Sequence, residues 1–425
     1  MKKIPLIAAV IAAALLATAA VAGARPAASK PIGITIWHAQ TDSAQKTMHA
    51  LVAKFNKTHP GIVVHDEFGS NGDEMVQKLQ AVIGGDDYPD IAYVYGSDVP
   101  NVSQSSKVAD ISKDIKATGF DWNSLYPAGR NTATVGSKIV GFPAVIDNLA
   151  VVYNKKLLKA AGVAPPKAGW TWADYRAMAK KLTNAKKGVY GTGYPISGSE
   201  DTVWRLWPMI WQQGGEVLSK DNKQALFAGA QGQKALQLLT DMALKDKSLY
   251  PDQTPDTEKM YGLFDSGKMG MIVTGPWQLS DIVDHKVSYG VQFMPAYGTS
   301  HETISGPDVW MAFNHSDDRR KAAATFLAWL HEPAQDLQWD VGSGNLPLSA
   351  KTAALPAFKA YAAKYPGVDL FVKNLANARH IRPPVVQYTA ISTAVGKAVA
   401  TSLLGRGSPK DTLGQAAKAA DKALS

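Results

Sequence analysis

The sequence contains no cysteine among its 425 residues. Without thiols the chain cannot form a disulfide framework, a thiolate zinc site or a cysteine nucleophile. It also cannot carry the acylated cysteine that anchors bacterial lipoproteins. We therefore expect the exported protein to be released in a soluble form.

Long hydrophobic runs are scarce, and the one candidate lies at the N-terminus. Lys2 and Lys3 precede an uncharged apolar stretch from Ile4 to Ala20, and small residues then give A-x-A patterns at 20–22 and 22–24. This order is typical of a cleaved secretory signal peptide, and the apolar run is at the short end for a membrane span. We predict a signal peptide over residues 1–24 and a periplasmic location.

The excess of basic over acidic residues, 45 against 36, is not gathered into a patch. Basic pairs and triplets, such as 180–181 and 319–321, are scattered and are not interleaved with aromatic residues. A solvated surface explains this pattern better than nucleic-acid binding does. We therefore expect no nucleic-acid partner.

Sequence signatures of catalysis are missing. The chain has no G-x-S-x-G or H-E-x-x-H motif, and its nine histidines lack paired metal-ligand spacing. We expect no enzyme activity, no bound metal and no cofactor. A pair of carboxylates suited to glycoside hydrolysis is defined by distance in space, so that alternative stays open at this point.

One segment, Gly262 to Met269, nearly reproduces a phosphate-binding loop. Met269 occupies the position that needs a Ser or Thr to bind Mg²⁺, and the preceding 258–261 indicates a helix where the motif requires a strand. We instead predict the end of a helix, capped by Gly267 and followed by a buried strand.

The N-terminal half of the chain alternates strand and helix patterns. Apolar strands are predicted at Ile34–Trp37, Ile62–Val64 and Ile91–Tyr95, with helices at 43–58 and 72–83 between them. Right-handed βαβ units and a parallel sheet follow from this spacing. Longer helical patterns dominate after Trp172, including one over 202–213, and a chain of this length favours two domains.

The order of several short motifs resembles a known family. Residues 141–172 carry a strand, Asn154-Lys155-Lys156, a helix that breaks at Gly162, and then Trp170-Thr171-Trp172. Phe264-Asp265-Ser266-Gly267-Lys268, Gly275-Pro276-Trp277 and Ser305-Gly306-Pro307-Asp308 follow in the same order. This arrangement is similar to that of the extracellular solute-binding proteins of ABC importers that bind carbohydrates, typified by maltose-binding protein.

The resemblance implies an α/β fold with two discontinuous lobes, and with a hinge and a ligand cleft between them. The N-terminal lobe would comprise 31–144 and 303–349, and the C-terminal lobe 145–302 and 350–425. The chain would then cross between the lobes near 145, 302 and 349.

Aromatic residues suit this family, because the sequence has 11 tryptophans, several of them beside turn residues. A flat ring covers the apolar C–H face of a sugar, while carboxylates, amides and arginines bind its hydroxyls. The resemblance assigns sugar stacking to Trp277, Trp204 and Tyr388. For Trp310, contact with the ligand and packing in the core remain equal alternatives.

Polar candidates come from the same resemblance and from strand ends, since ligands of open parallel sheets bind at the carboxyl ends of the strands. Asp147 would bind sugar hydroxyls, and Arg382 would bridge hydroxyls or a phosphate. The candidate ligand-binding residues are Gln40, Asp42, Ser97, Asp98, Asp147, Asn148, Trp204, Gly275, Trp277, Asp308, Trp310, Arg382 and Tyr388.

These observations predict a monomeric receptor that captures a sugar, in particular an oligosaccharide, by closing its hinge. It would deliver this ligand to the transmembrane subunits of an ABC permease. Arg382 and the positive net charge keep a glycerophosphodiester or another phosphorylated polyol as an alternative ligand. A secreted carbohydrate-active enzyme is the more distant alternative.

Overall fold

The computed structural model of the protein describes residues 30–70, 72–197 and 200–425. The predicted signal peptide lies outside these residues. Within the described part of the chain, no helix combines the length and the apolar character that a membrane span requires.

Fourteen strands are found in the described residues. In chain order they are β1 Ile32–His38, β2 Ile62–Phe68, β3 Ile91–Val94, β4 Thr134–Val135, β5 Lys138–Ile139, β6 Gly141–Val145, β7 Ala150–Asn154, β8 Tyr190–Pro195, β9 Leu249–Asp252, β10 Met269–Thr274, β11 Tyr289–Gln292, β12 Thr303–Ile304, β13 Asp308–Ala312 and β14 Ala378–His380.

Helices surround these strands. In chain order they are α1 Asp42–Thr58, α2 Gly72–Val82, α3 Val99–Val102, α4 Ser112–Thr118, α5 Pro127–Thr132, α6 Lys155–Ala160, α7 Trp172–Leu182, α8 Glu200–Trp204, α9 Trp207–Trp211, α10 Ala230–Leu244, α11 Glu258–Asp265, α12 Leu279–Asp284, α13 Asp317–Leu330, α14 Pro333–Ser343, α15 Ala350–Ala353, α16 Pro356–Lys364, α17 Val368–Asn374, α18 Tyr388–Leu403 and α19 Pro409–Leu424.

The first of two five-stranded sheets has the order β2-β1-β3-β13-β6. Strand β1 pairs in parallel with β2 and β3, as the alternation of strands and helices predicts. Strand β13 is antiparallel to both of its neighbours, β3 and β6. Helix α1 covers this sheet with Met48, Leu51, Val52 and Phe55, all buried, because their spacing puts them on one face of the helix.

The second sheet has the order β11-β7-β10-β8-β9. Its central strand β10 is buried at every position, since it lies between antiparallel β7 and parallel β8. Helix α11 ends just before it, and Gly267 adopts a φ of +69° that a side chain would disfavour. The predicted helix end and buried strand are therefore confirmed for the segment that resembles a phosphate-binding loop.

The chain passes from the first sheet to the second between β6 and β7, and returns between β11 and β13. The C-terminal helices α18 and α19 pack on each other, and both pack on α10, beside the second sheet. The exact lobe boundaries near 145, 302 and 349 stay predictions.

One predicted helix, over residues 202–213, is divided in the structure. Helix α8 ends at Trp204 and α9 begins at Trp207. Pro208 lies at the start of α9, where it has no N–H to donate to the carbonyl of Trp204. The interruption turns the chain between two buried tryptophans.

Candidate functional site

A cavity of about 560 Å³ lies between the two sheets. Its size is within the range of small-molecule sites. Its walls come from loops beside both sheets and from the segments that join them. They comprise Thr41, Tyr93, Tyr95, Val145, Asp147, Glu200, Asp201, Trp204, Tyr261, Trp277, Gln278, Asp281, Asp308, Asn345 and Arg382.

Two tryptophans form the aromatic part of the wall. The rings of Trp204 and Trp277 lie with centroids 5.8 Å apart and planes inclined by 31°. Trp204 is buried, whereas Trp277 is half-buried and borders the cavity. Trp277 follows Gly275 and Pro276 in a 3₁₀ turn that directly continues the buried strand β10.

Gly275 allows the ring of Trp277 to fold back over the backbone. A Cβ atom at residue 275 would lie 1.8 Å from a carbon of the Trp277 ring. We expect Gly275→Ala to displace this ring and to weaken ligand binding by about ten-fold or more, while the protein stays folded. Titration calorimetry with the sugar that the original protein binds most tightly measures this loss of affinity. An unchanged affinity would show that the ring position is not used.

Arg382 is the central cation of the cavity. Its Nε donates to Oε1 of Glu200 at 2.9 Å, and its Nη1 lies 3.7 Å from Oδ1 of Asp308. The guanidinium carbon is 5.2 Å from the centroid of the Trp204 ring, a cation–π distance. The side chain is 11% exposed, so these partners replace most of its hydration.

Glu200 holds this arginine and is itself held by two helix residues. The hydroxyl of Tyr388 donates to Oε1 of Glu200 at 2.7 Å, and the hydroxyl of Ser392 donates to Oε2 at 2.5 Å. Burial raises the pKa of the Glu200 carboxyl, and Arg382 opposes that shift. The carboxylate is thereby fixed at the start of α8, facing the cavity.

Two further buried carboxylates, those of Asp308 and Asp147, interact electrostatically with Arg382. Asp308 accepts hydrogen bonds from the Tyr93 hydroxyl at 2.5 Å and from the Gly96 N–H at 3.0 Å. Asp147 accepts one from the Gly306 N–H at 3.3 Å. Burial, reinforced by the charge of Asp308, raises the pKa of Asp147 to about 7.

The raised pKa of Asp147 makes stability depend on pH. Between about pH 4 and pH 7 the folded protein keeps a proton that the unfolded chain releases, so the free energy of unfolding falls as pH rises through this window. We expect Asp147→Asn to remove this contribution and to gain stability relative to the original protein, by roughly 4 kcal/mol between pH 4 and pH 8. Urea unfolding across this range tests it, and parallel curves would contradict it.

A second ion pair supports the wall of the cavity. Arg205 is buried, pairs with Asp201, and donates from Nη2 to the Tyr261 hydroxyl at 3.0 Å. Its Nε donates to the carbonyl of Val273 in β10 at 2.9 Å. The charge of Arg205 is therefore neutralised by its partners within the protein. Of the lining residues that the structure describes, Arg382 alone is cationic.

Five of the predicted site residues line the cavity: Asp147, Trp204, Trp277, Asp308 and Arg382. Gly275 supports Trp277 from behind. Tyr388 is 1% exposed, and its hydroxyl is engaged with Glu200 and with the indole N–H of Trp207 at 2.9 Å, so it positions Glu200 and presents no face to the cavity.

The other predicted residues are not part of this wall. Trp310 is fully buried against Tyr93 and Trp339 in the first-sheet core. Asn148 is also fully buried, and its amide bonds to the Phe371 carbonyl and to Asn374. Asp98 accepts a hydrogen bond from Thr389, 2.8 Å away. Ser97 is buried, Gln40 lies in the loop after β1, and only the backbone of Asp42, as the first residue of α1, is described.

Several lining residues were not foreseen from sequence. They are Tyr93, Tyr95, Val145, Glu200, Asp201, Tyr261, Gln278, Asp281 and Asn345, whereas Thr41 belongs to the loop after β1 that was expected to face the cleft. Tyr93 and Tyr95 belong to β3 and its end, where the strand-end rule could have found them. Among the described residues, no cluster of three or more His, Asp or Glu side chains is suited to a metal ion.

Comparison with known proteins agrees with this architecture. The profile of the family described as bacterial extracellular solute-binding protein matches residues 38–336. The sn-glycerol-3-phosphate-binding periplasmic protein UgpB of Pectobacterium atrosepticum is 24% identical over 370 residues, which cover 83% of this chain and 80% of that protein.

Solved structures give the same result for the fold. The cyclic alpha-maltosyl-1,6-maltose binding protein from Arthrobacter globiformis is 27% identical with a TM-score of 0.79, over 93% of this chain and 99% of that one. UgpB from Mycobacterium tuberculosis in complex with glycerophosphocholine is 16% identical with a TM-score of 0.82, over 92% and 98% of the two chains.

These similarities confirm the predicted two-lobed α/β fold. The profile match extends over far more than half of the chain and includes all the strands of both large sheets except most of β1. The chain therefore belongs to the family of bacterial extracellular solute-binding proteins.

Proposed function

We propose that the protein is the receptor of a carbohydrate ABC importer. It binds a sugar through contacts from both lobes and does not catalyse a reaction of that sugar. The observation that carries this proposal is the wall in which Trp277 and Trp204 lie beside five carboxylates and one guanidinium. An aromatic face suits the C–H face of a sugar, and carboxylates accept hydrogen bonds from its hydroxyls.

The charge balance of the cavity favours an uncharged ligand. Of its five carboxyl groups, Asp201 is already paired with Arg205 and Asp147 has a pKa of about 7. The other three, Glu200, Asp281 and Asp308, still outnumber Arg382, the one cation among the described lining residues. Arg382 is already paired with Glu200 and lies near Asp308. A phosphate would bring further negative charge into this acidic and poorly hydrated site, where like charges repel strongly.

Closure of the two lobes around the ligand is expected because the lining residues of the cavity come from both lobes. Residues beside both sheets reach the same cavity, so a ligand that contacts them together stabilises the closed arrangement. The hydrogen bond from Thr389 in α18 to Asp98 after β3 adds a direct contact across the cleft. The permease would recognise the outer surface of this closed form.

A glycerophosphodiester is the second candidate ligand. It is favoured by Nη1 of Arg382, which is buried and has no hydrogen-bond partner in the described part of the protein. The similarity to UgpB proteins points the same way. The lining carboxylates count against it, and we rank it below a sugar.

Titration calorimetry with a panel of purified ligands tests the proposal. The panel contains glucose, maltose, maltotriose, maltotetraose, cyclic maltosyl-maltose, sn-glycerol-3-phosphate and glycerophosphocholine. We expect binding of at least one sugar and no binding of the phosphorylated ligands. Binding confined to the phosphorylated ligands would overturn the choice of a sugar, and conversion of a bound sugar, followed by chromatography, would overturn the assignment as a receptor.

Export belongs to the same proposal. We propose that residues 1–24 are removed as a signal peptide and that the mature receptor acts as a monomer outside the cytoplasm. The extracellular character of the family supports the location. N-terminal sequencing of the secreted protein and its mass in light scattering are the corresponding measurements.

A further inference from the structure

A second cavity shares the lining residue Arg382 with the ligand cavity. Its volume is about 180 Å³, and we call it the hinge cavity. Its described lining residues are Gly96, Val99, Pro100, Asn131, Thr132, Thr134, Val135, Gly136, Ser305, Gly306, Pro307, Ile381, Arg382 and Pro384. A single water needs only about 10–15 Å³, so this space is large enough for part of a ligand.

Two buried hydrogen-bond donors line the hinge cavity without a partner. Oγ of Ser305, a residue 1% exposed, and Nη1 of Arg382 have no hydrogen-bond partner among the residues that the structure describes. A donor left in this state costs free energy, so an acceptor at this place is favoured. Gly306 packs closely against this guanidinium, because a Cβ atom at residue 306 would lie only 2.6 Å from Nη1.

The chemistry of the walls restricts what that acceptor can be. Apart from Arg382, all the lining residues of the hinge cavity are uncharged, and Val99, Pro100, Val135, Ile381 and Pro384 make most of it apolar. The charge of Arg382 is already met by Glu200 and Asp308. An uncharged group with hydroxyl oxygens and C–H faces fits these walls better than an anion does.

Among the described residues, Arg382 alone borders both cavities. We propose that the hinge cavity is an additional subsite of the ligand cleft, which receives a terminal sugar unit of an oligosaccharide whose other units lie against Trp277. Arg382 then contacts the ligand between the two spaces, and Ser305 donates to the terminal unit. This inference rests on the proposed function and narrows it to ligands longer than a single sugar.

Filling the hinge cavity tests the subsite. Val135 is half-buried at its wall, and Lys138 is its exposed pairing partner in the β4–β5 hairpin, outside the wall. Val135→Trp and the matched control Lys138→Trp are titrated with glucose, maltose, maltotriose and maltotetraose. We expect Val135→Trp to weaken the binding of the longest sugar that binds by about ten-fold and to leave the affinity for the shortest one unchanged. The control Lys138→Trp should bind every sugar as the original protein does.

Ser305→Ala gives an independent variant, which removes one hydroxyl and leaves the hairpin intact. We expect it to lower the affinity for the longer sugars by about five-fold and to leave the affinity for the shortest sugar unchanged. Equal affinities of the original protein and both cavity variants for every sugar would overturn the subsite, while the proposed function would stand. A protein that binds no sugar of the panel would instead overturn the proposed function, and the subsite with it.

Discussion

Arg382→Met is expected to lower the free energy of unfolding by about 3–5 kcal/mol at pH 8, and to abolish measurable ligand binding. The variant leaves Glu200, Asp308 and Asp147 buried without their cation. Arg382 lowers the pKa of each of these carboxyls, so its removal raises all three. The carboxyls then remain protonated to a higher pH, and the loss of stability grows as pH rises.

Urea unfolding at pH 5 and at pH 8 measures this difference. Arg379→Met is the matched control, because Arg379 lies in the same segment and is exposed. Adding Glu200→Gln to Arg382→Met should restore part of the stability at pH 8, since it removes one of the unpaired charges. A loss of the same size at both pH values, or no larger than that of Arg379→Met, would show that the carboxylates do not depend on Arg382.

The parallel part of the first sheet could be predicted from sequence because local patterns and tertiary packing agree there. The spacing of Met48, Leu51, Val52 and Phe55 already indicates the face that α1 buries. Helix α13, Asp317–Leu330, likewise begins where the sequence places a typical capping residue, Ser316.

Two strands of the second sheet, β8 and β9, were not predicted from the sequence, for identifiable reasons. Strand β8 contains Gly191, where a Cβ atom would lie 2.0 Å from the carbonyl oxygen of Ala179 in α7, so close packing of a helix has replaced the usual branched residues. Strand β9 contains Pro251, which sequence rules place outside a central strand. It is tolerated because β9 lies at the edge of the sheet.

Several residues of the ligand cavity could likewise not be predicted from the local sequence. Glu200 and Asp201 have the sequence appearance of a solvated helix start, where acidic residues are common. Glu200 becomes a site residue only through Arg382, Tyr388 and Ser392, which are 182, 188 and 192 residues away in the chain. Nothing in the local sequence specifies contacts of that range. Tyr388 was assigned to stacking on the ligand, but the tertiary structure buries its ring behind Glu200.

Trp277→Ala is expected to weaken ligand binding by about 30-fold, or about 2 kcal/mol, with little loss of stability. Trp277 is half-buried, so its removal costs less packing than that of a core tryptophan. A bound sugar, in contrast, would lose its contact with one of the two rings of the aromatic wall. Its remaining contacts with the carboxylates would give it a shorter residence time. The affinity should therefore fall mainly through faster dissociation.

Calorimetry and stopped-flow fluorescence of Trp277→Ala, Trp277→Phe and Trp329→Ala separate stacking from general effects. Trp329 is also half-buried but packs against Phe55 and Phe326, beside the first sheet, so its loss should leave the affinity unchanged. Trp277→Phe keeps a ring of smaller area and should lie between the original protein and Trp277→Ala. If Trp277→Ala and Trp329→Ala bind equally well, the ligand does not stack on Trp277, and the aromatic wall would then serve only to hold Arg382 through Trp204.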